Sequence, residues 1–176
     1  MYKLNGVMYS AEEIKAKVKE LAKQIEKDYA VEELLVVGIL KVASVFCADL
    51  IREIDLDVRM DFMVVSSYGN ETSSSGTVKI IKDLDVDIEN KNVLIVEDII
   101  DSGLTLSSLV AELETRKPKS LKLCTLLDKP ERRTADIKVD YVGYVIEDKF
   151  IVGFGLDYNQ DYRNLPYIGY IKKMTN

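Results

Sequence analysis

Histidine is absent from this 176-residue chain. That excludes a Ser-His-Asp triad and a histidine-rich zinc site, and leaves acid–base work to Asp, Glu, Lys or Tyr. Cysteine is scarce: the chain has 2. Cys47 and Cys124 each lie in an apolar run, so buried free thiols are expected rather than a disulfide or a metal site. No apolar run approaches the roughly 20 residues of a membrane-crossing helix. Met1-Tyr2-Lys3 leads into no signal-like apolar core, so no membrane association and a cytoplasmic location are expected. Positive charge is in deficit, with 24 Lys and Arg against 30 Asp and Glu and a net charge of −6. Phosphate contacts along a nucleic acid need clustered Lys and Arg, so no nucleic-acid partner is expected. Gly-x-Gly-x-x-Gly and a Walker-type Gly-Lys-Ser/Thr are also missing, which argues against a dinucleotide or P-loop domain. No internal repeat or low-complexity linker interrupts the chain.

Hydrophobic residues make up 47% of the sequence, which rules out a largely disordered chain. The length suits one domain, residues 1–176, with a substantial core. Ser10-Ala-Glu-Glu13 is a capping box, and Ile14, Val18, Leu21, Ile25 and Tyr29 follow at helical spacing. Strands are predicted at Leu34–Leu40, Val58–Val65, Val78–Lys82 and Leu121–Leu127. Helices are predicted at about Ser44–Ile54 and Leu106–Arg116, the latter ended by Lys117-Pro118. Ser66–Thr77 is rich in Ser, Gly and Thr and reads as a long loop, a length often used for functional lids. Alternating strands and helices imply right-handed crossovers and an α/β fold with a mostly parallel, twisted sheet flanked by helices. The tail, rich in Tyr and Gly with short strands, reads as a small cap over the sheet's carboxyl edge, formed mainly by about 130–176.

Val93 to Thr105, VLIVEDIIDSGLT, carries the chemistry. Val93–Val96 is β-branched and lacks alternation, as in a parallel strand buried on both faces. Ligands of open α/β sheets sit beyond the carboxyl ends of such strands. Glu97 and Asp98 are therefore placed at a site, and the strand is expected to end there. Ser102, Gly103 and Thr105 are small enough for close backbone approach. The helix predicted from about Leu106 turns its N–H groups toward the loop, which suits a phosphate. The acids suit sugar hydroxyls or Mg²⁺, which takes oxygen ligands. Asp101 has a second reading as a helix N-cap.

This string resembles the phosphoribosyl-pyrophosphate motif of the type I phosphoribosyltransferases, and its paired isoleucines resemble the branch acting on 6-oxopurines, the hypoxanthine-guanine phosphoribosyltransferases. Four further segments resemble the same family in the same order: Ser66-Ser67-Tyr68-Gly69, Leu126-Leu127-Asp128-Lys129, Asp148 to Tyr158 and Tyr162-Arg163-Asn164-Leu165-Pro166. Together they span about Leu34 to Ile171. Five ordered motifs are far more specific than any one.

The resemblance implies a type I phosphoribosyltransferase fold with a hood and a long mobile loop at 66–77. It implies Mg²⁺-dependent transfer of a 5-phosphoribosyl group from phosphoribosyl pyrophosphate to hypoxanthine or guanine in purine salvage, giving IMP or GMP and pyrophosphate. On that reading Asp101, Ser102, Gly103, Leu104 and Thr105 cradle the 5′-phosphate. Glu97 and Asp98 hold the ribose, directly or through the metal. Asp101 is the proton acceptor near the purine N7. Lys129 donates to the 6-oxo group, Phe150 stacks on the base, and backbone groups of Ile151 and Asp157 read its edge. Asp157 carries a second Mg²⁺. Lys41, Val42, Ser67, Tyr68 and Arg163 hold the pyrophosphate, with Ser67 and Tyr68 closing over it to exclude water. The family implies dimers or tetramers. Taken singly, Lys129 reads as a surface lysine and Phe150 as plain core.

Two positions depart from the family pattern. Gly38-Ile39-Leu40-Lys41 is followed by Val42 where the pattern has glycine, at a turn that often carries a non-proline cis bond. A β-branched residue there predicts weaker pyrophosphate binding or a rearranged turn. Glu147 stands where proline is usual, which bears on the geometry of the cap. Two other functions stay open on the sequence: a xanthine-preferring phosphoribosyltransferase, and a non-catalytic regulator that binds phosphoribosyl pyrophosphate.

Overall fold

The computed structural model describes residues 2–30, 32–67 and 78–173. Its larger sheet holds six strands: β2 (Leu34–Ile39), β3 (Val58–Ser67), β4 (Val78–Lys82), β5 (Asn92–Ile100), β6 (Ser120–Asp128) and β7 (Tyr141–Val145), in the order β4-β3-β2-β5-β6-β7. All neighbours run parallel except β3 and β4, which pair antiparallel. A second, three-stranded antiparallel sheet joins β1 (Tyr2–Tyr9), β9 (Ile168–Lys173) and β8 (Ile151–Val152). The hood is thus completed by the N-terminal strand, for which the sequence pattern gave no element. β7, within the segment read as cap, belongs instead to the main sheet.

Helices α1 (Ala11–Asp28) and α2 (Ser44–Glu53) cover one face of the large sheet, and α3 (Leu104–Glu114) covers the other. Ser10 and Glu13 form the reciprocal capping box of α1, at 3.1 and 2.8 Å. Ile14, Val18, Leu21, Ile25 and Tyr29 are all buried, against α2 and the strands. Beneath α3, Leu106, Leu109 and Leu113 pack on Leu35, Val37, Val93 and Ile95. The run Leu34–Ile39 is buried at every position, as a central strand covered on both faces requires. Cys47 and Cys124 are free and buried, and burial pushes both thiols up, Cys47 to about 12.

The predicted strand end at Glu97 and Asp98 needs correction. β5 continues to Ile100, because β6 also runs on and pairs Ile99 with Leu127 and Ile100 with Asp128. On its other side the pairing with β2 stops at Gly38–Val96. Residues 97–100 therefore project past β2 while still held by β6. α3 likewise begins at Leu104, two residues before the predicted start.

Candidate active site

The projecting end of β5 opens the site. Asp98 is 4% exposed, and its Oδ2 is buried with no hydrogen-bond partner among the described residues. Glu97 precedes it, partly open to a small cavity but with its carboxyl closely surrounded by protein. Burial is the largest cause and raises both carboxyls, Asp98 to about 6 and Glu97 well above the usual range, and the neighbouring Asp98 raises Glu97 further. The positive charge of Arg163 pulls Asp98 the other way. A buried, unpartnered carboxylate oxygen is costly unless a cation or a hydroxyl donor completes it. No group of three or more His, Cys, Asp or Glu that could hold a metal occurs among the described residues. A cation here would rest on these two carboxylates and on ligand oxygens, a mode that suits Mg²⁺.

Asp101 to Thr105 form the next turn. They line, with Glu97, Ile99, Ile100 and Leu106, a concavity of about 170 Å³. Gly103 is the N-cap of α3, at φ 77°, with no side-chain cap. A Cβ added there would meet Arg133 Cδ and Ile137 Cγ2 at 3.1 Å in a left-handed backbone, so the position favours glycine. The cap position is taken by Gly103, so Asp101 does not cap the helix as one reading of the sequence expected. Leu104 N–H donates to Ser102 Oγ at 3.4 Å, and Leu104, Thr105 and Leu106 of the first turn of α3 line this anion-sized hollow. The segment after β6 braces the loop from outside. Thr134 and Ala135 N–H groups donate to the Ser102 carbonyl at 3.0 and 3.1 Å, and Arg133 Nε donates to the Asp101 carbonyl at 3.3 Å.

A second concavity, about 520 Å³, is lined by Ile99, Asp101, Lys129, Arg132, Asp148, Lys149, Phe150, Ile151, Leu156 and Asp157. It shares Ile99 and Asp101 with the first, so Asp101 stands at the seam. Lys129 is 7% exposed, which overturns its reading as a surface lysine. Its Nζ donates to the Lys149 carbonyl at 2.8 Å and pairs with Asp148 at 3.3 Å. Phe150 is 51% exposed and edge-on to Tyr158, so it is not plain core. Ile151 is buried in β8, with its backbone paired to β9.

Sequence reasoning missed Arg132. In a 3-10 turn at Pro130–Arg132, it donates to Asp101 at 2.5 Å and to Asp148 at 3.1 Å, linking the loop to the hood. Its guanidinium holds the Asp148 carboxyl below the usual range. The Arg-Arg pair that follows Lys129-Pro130-Glu131 was the available signal.

The third part is cationic. The Leu40–Lys41 bond is cis, and Lys41 Nζ donates to Gln160 Oε1 at 3.1 Å. Arg163 pairs with Asp157 at 2.8 Å and donates to the Gly155 carbonyl at 2.8 Å. Val42 is partly buried and packed on the core beside α2, so its β-branched side chain turns inward from the turn surface. Gly155, at φ 98°, lies so close that an added Cβ would reach the Val42 carbonyl at 2.5 Å, which fixes the hood against this turn. Ser67 ends β3, next to the described limit, and Tyr68 lies outside the described residues. The structure thus brings the sequence-predicted residues together along linked contacts and concavities, Ser67 and Tyr68 apart.

Residues 8–159 match the family model of the phosphoribosyl transferase domain. The chain is 57% identical over 169 residues to the hypoxanthine-guanine phosphoribosyltransferase of Bacillus subtilis, covering 96% of this chain and 94% of that protein. It is 54% identical to part of a longer bifunctional protein of Listeria monocytogenes, covering 96% of this chain and 26% of that one. It is also similar to the crystal structure of a hypoxanthine-guanine phosphoribosyltransferase from Bacillus anthracis, with a TM-score of 0.93, 51% identity, and 98% and 100% of the two chains covered.

Proposed function

Because the chain belongs to the phosphoribosyltransferase family, we propose that its site transfers a 5-phosphoribosyl group from phosphoribosyl pyrophosphate to a 6-oxopurine. The activity is that of purine salvage, with hypoxanthine and guanine as acceptors and IMP or GMP and pyrophosphate as products. The observation that carries the assignment of roles is the seam: one carboxylate, Asp101, borders both the anion-sized hollow and the larger aromatic-lined concavity.

This geometry and the family resemblance together support the following roles. The 5′-phosphate sits on Asp101–Thr105, held by backbone N–H groups at the start of α3 and by the hydroxyls of Ser102 and Thr105. Glu97 and Asp98 hold the ribose hydroxyls. They and Asp157 fit Mg²⁺, which supplies charge neutralisation for the diphosphate when bound. The base enters the larger concavity, stacked on Phe150, with Lys129 donating to its 6-oxo group and the backbones of Ile151 and Asp157 at its edge. A purine nitrogen forms the new bond to the sugar carbon as the bond to pyrophosphate breaks, through an oxocarbenium-like state. Asp101 accepts the proton near N7, a role that falls to a carboxylate in a chain without histidine. Lys41, the Val42 backbone, Ser67, Tyr68 and Arg163 receive the pyrophosphate.

A xanthine-preferring enzyme and a non-catalytic regulator are not favoured. The relatives carry the name hypoxanthine-guanine phosphoribosyltransferase, which speaks against both. Among the described residues no helix is long and apolar enough to cross a membrane. A cytoplasmic enzyme assembled as a homodimer or homotetramer is the reading we adopt from the family. The test is an assay of the purified protein with Mg²⁺, phosphoribosyl pyrophosphate and hypoxanthine, guanine or xanthine in turn. Nucleotide from hypoxanthine and guanine is expected; none from any base overturns the reading.

A further inference from the structure

One residue outside every motif above joins the two cations at the pyrophosphate end of the site. Tyr158 and Asp161 face each other as an antiparallel bridge, their N–H groups and carbonyls paired at 3.2 and 3.0 Å. Between them Asn159 and Gln160 have φ of 52° and 72°. Positive φ at both central residues describes a type I′ turn, which favours Asn first and Gly second. Asn159 fits that preference, whereas Gln160 does not. A long side chain in the left-handed region is disfavoured relative to glycine, and an outlier of this kind at a site points to work done by its side chain.

That work is visible. Gln160 Oε1 accepts from Lys41 Nζ at 3.1 Å and from Arg163 Nη2 at 3.0 Å. Lys41 lies 119 residues away in sequence, at the mouth of β2. Two like charges that would otherwise repel share one neutral oxygen. The Gln160 N–H also donates to Asp157 Oδ2 at 2.8 Å, so the turn fixes the carboxylate partner of Arg163 as well.

We propose that Gln160 is a positioning residue for the diphosphate of phosphoribosyl pyrophosphate, gathering Lys41 and Arg163 without neutralising either. The proposal rests on the phosphoribosyltransferase reading above. A neutral amide is suited to this, because it orders both cations before the ligand arrives and so lowers the cost of binding. A carboxylate in its place would compete with the diphosphate for the same two charges.

The full chain is compared with Gln160→Gly and Gln160→Glu. Calorimetric binding of phosphoribosyl pyrophosphate with Mg²⁺, steady-state kinetics and thermal unfolding are the readouts. Gln160→Gly should weaken phosphoribosyl pyrophosphate binding and raise its KM by about 5–20-fold, the scale of about one lost hydrogen bond. KM for hypoxanthine and kcat should stay within about twofold, and the unfolding midpoint should hold or rise, because glycine relaxes the turn. Gln160→Glu should raise the same KM through competition, with the midpoint held. Unchanged affinity for phosphoribosyl pyrophosphate in Gln160→Gly overturns the proposal. So does an equal loss toward both substrates with a lowered midpoint, which marks a merely structural turn. Wild-type protein that binds phosphoribosyl pyrophosphate but forms no nucleotide overturns the enzymatic reading instead, and the binding ratio between variants still decides the role of Gln160.

Discussion

Replacing Asp98 with Asn should make the ligand-free protein more stable above pH 6 while removing its activity. Asp98 is 4% exposed, lacks a partner for Oδ2 among the described residues and sits beside Glu97, itself raised well above its usual range. Burial lifts the Asp98 carboxyl from 3.8 to about 6. Between those values the folded state keeps a proton that the unfolded chain releases. Stability from this group is therefore full below about pH 4 and is lost as pH rises to about 6. Two units at about 1.4 kcal/mol each put the penalty near 3 kcal/mol at pH 7 and above. Glu97 acts in the same direction from its own usual value upward. The carboxylates lowered by lysine or arginine partners, such as Asp28, Asp83 and Asp148, act with opposite sign and below about pH 4. With no histidine in the chain, few other side chains titrate between pH 5 and 8. Thermal unfolding of metal-free protein across that range should show the wild type losing stability as pH rises. Asp98→Asn should show a shallower loss and, at pH 8, recover about 2 kcal/mol, or about 4–8 °C in Tm. A variant less stable than the wild type at pH 8, or one with the same pH slope, refutes the reasoning.

Asp101→Asn should lower kcat by about 10²-fold or more with KM for phosphoribosyl pyrophosphate little changed, as loss of a proton acceptor requires; initial-rate kinetics decide this, and a loss confined to KM contradicts the role. Lys129→Met should raise KM for hypoxanthine by about 10-fold or more, since a charged donor to the 6-oxo group is lost; an unchanged KM for the base removes Lys129 from recognition. Val42 was expected to obstruct the pyrophosphate turn, but its side chain packs on the core. Val42→Gly should therefore lower stability by about 1–2 kcal/mol in denaturant unfolding without raising kcat/KM. A rise in kcat/KM would restore the obstructing role.

The parts of this site that could be read in the sequence are those coded by neighbours in the chain. The buried run Val93–Val96, the acids after it and the glycine before α3 announce a strand, a turn and a helix by local periodicity and backbone preference. The capping box before α1 is equally local. What stayed hidden depends on distant partners. β5 runs to Ile100 because β6 pairs with it, a fact outside the string itself. β1 joins the hood by pairing with β9 from the far end of the chain, through a register with bulges that blurs alternation. Arg132 reaches back to Asp101, and Gln160 reaches Lys41, across 31 and 119 residues. Lys129 looked like a surface lysine because its burial comes from the hood segment that folds over it.

The central claim is that one rim binds the whole sugar diphosphate and the base. A crystal structure of the protein with Mg²⁺, phosphoribosyl pyrophosphate and a non-reactive 6-oxopurine analogue tests it most directly. The account predicts the 5′-phosphate on Asp101–Thr105, the ribose at Glu97 and Asp98, the base between Phe150 and Lys129, and the diphosphate between Lys41 and Arg163. A sugar phosphate bound away from the Asp101–Thr105 turn, or a base that contacts neither Lys129 nor Phe150, would contradict it.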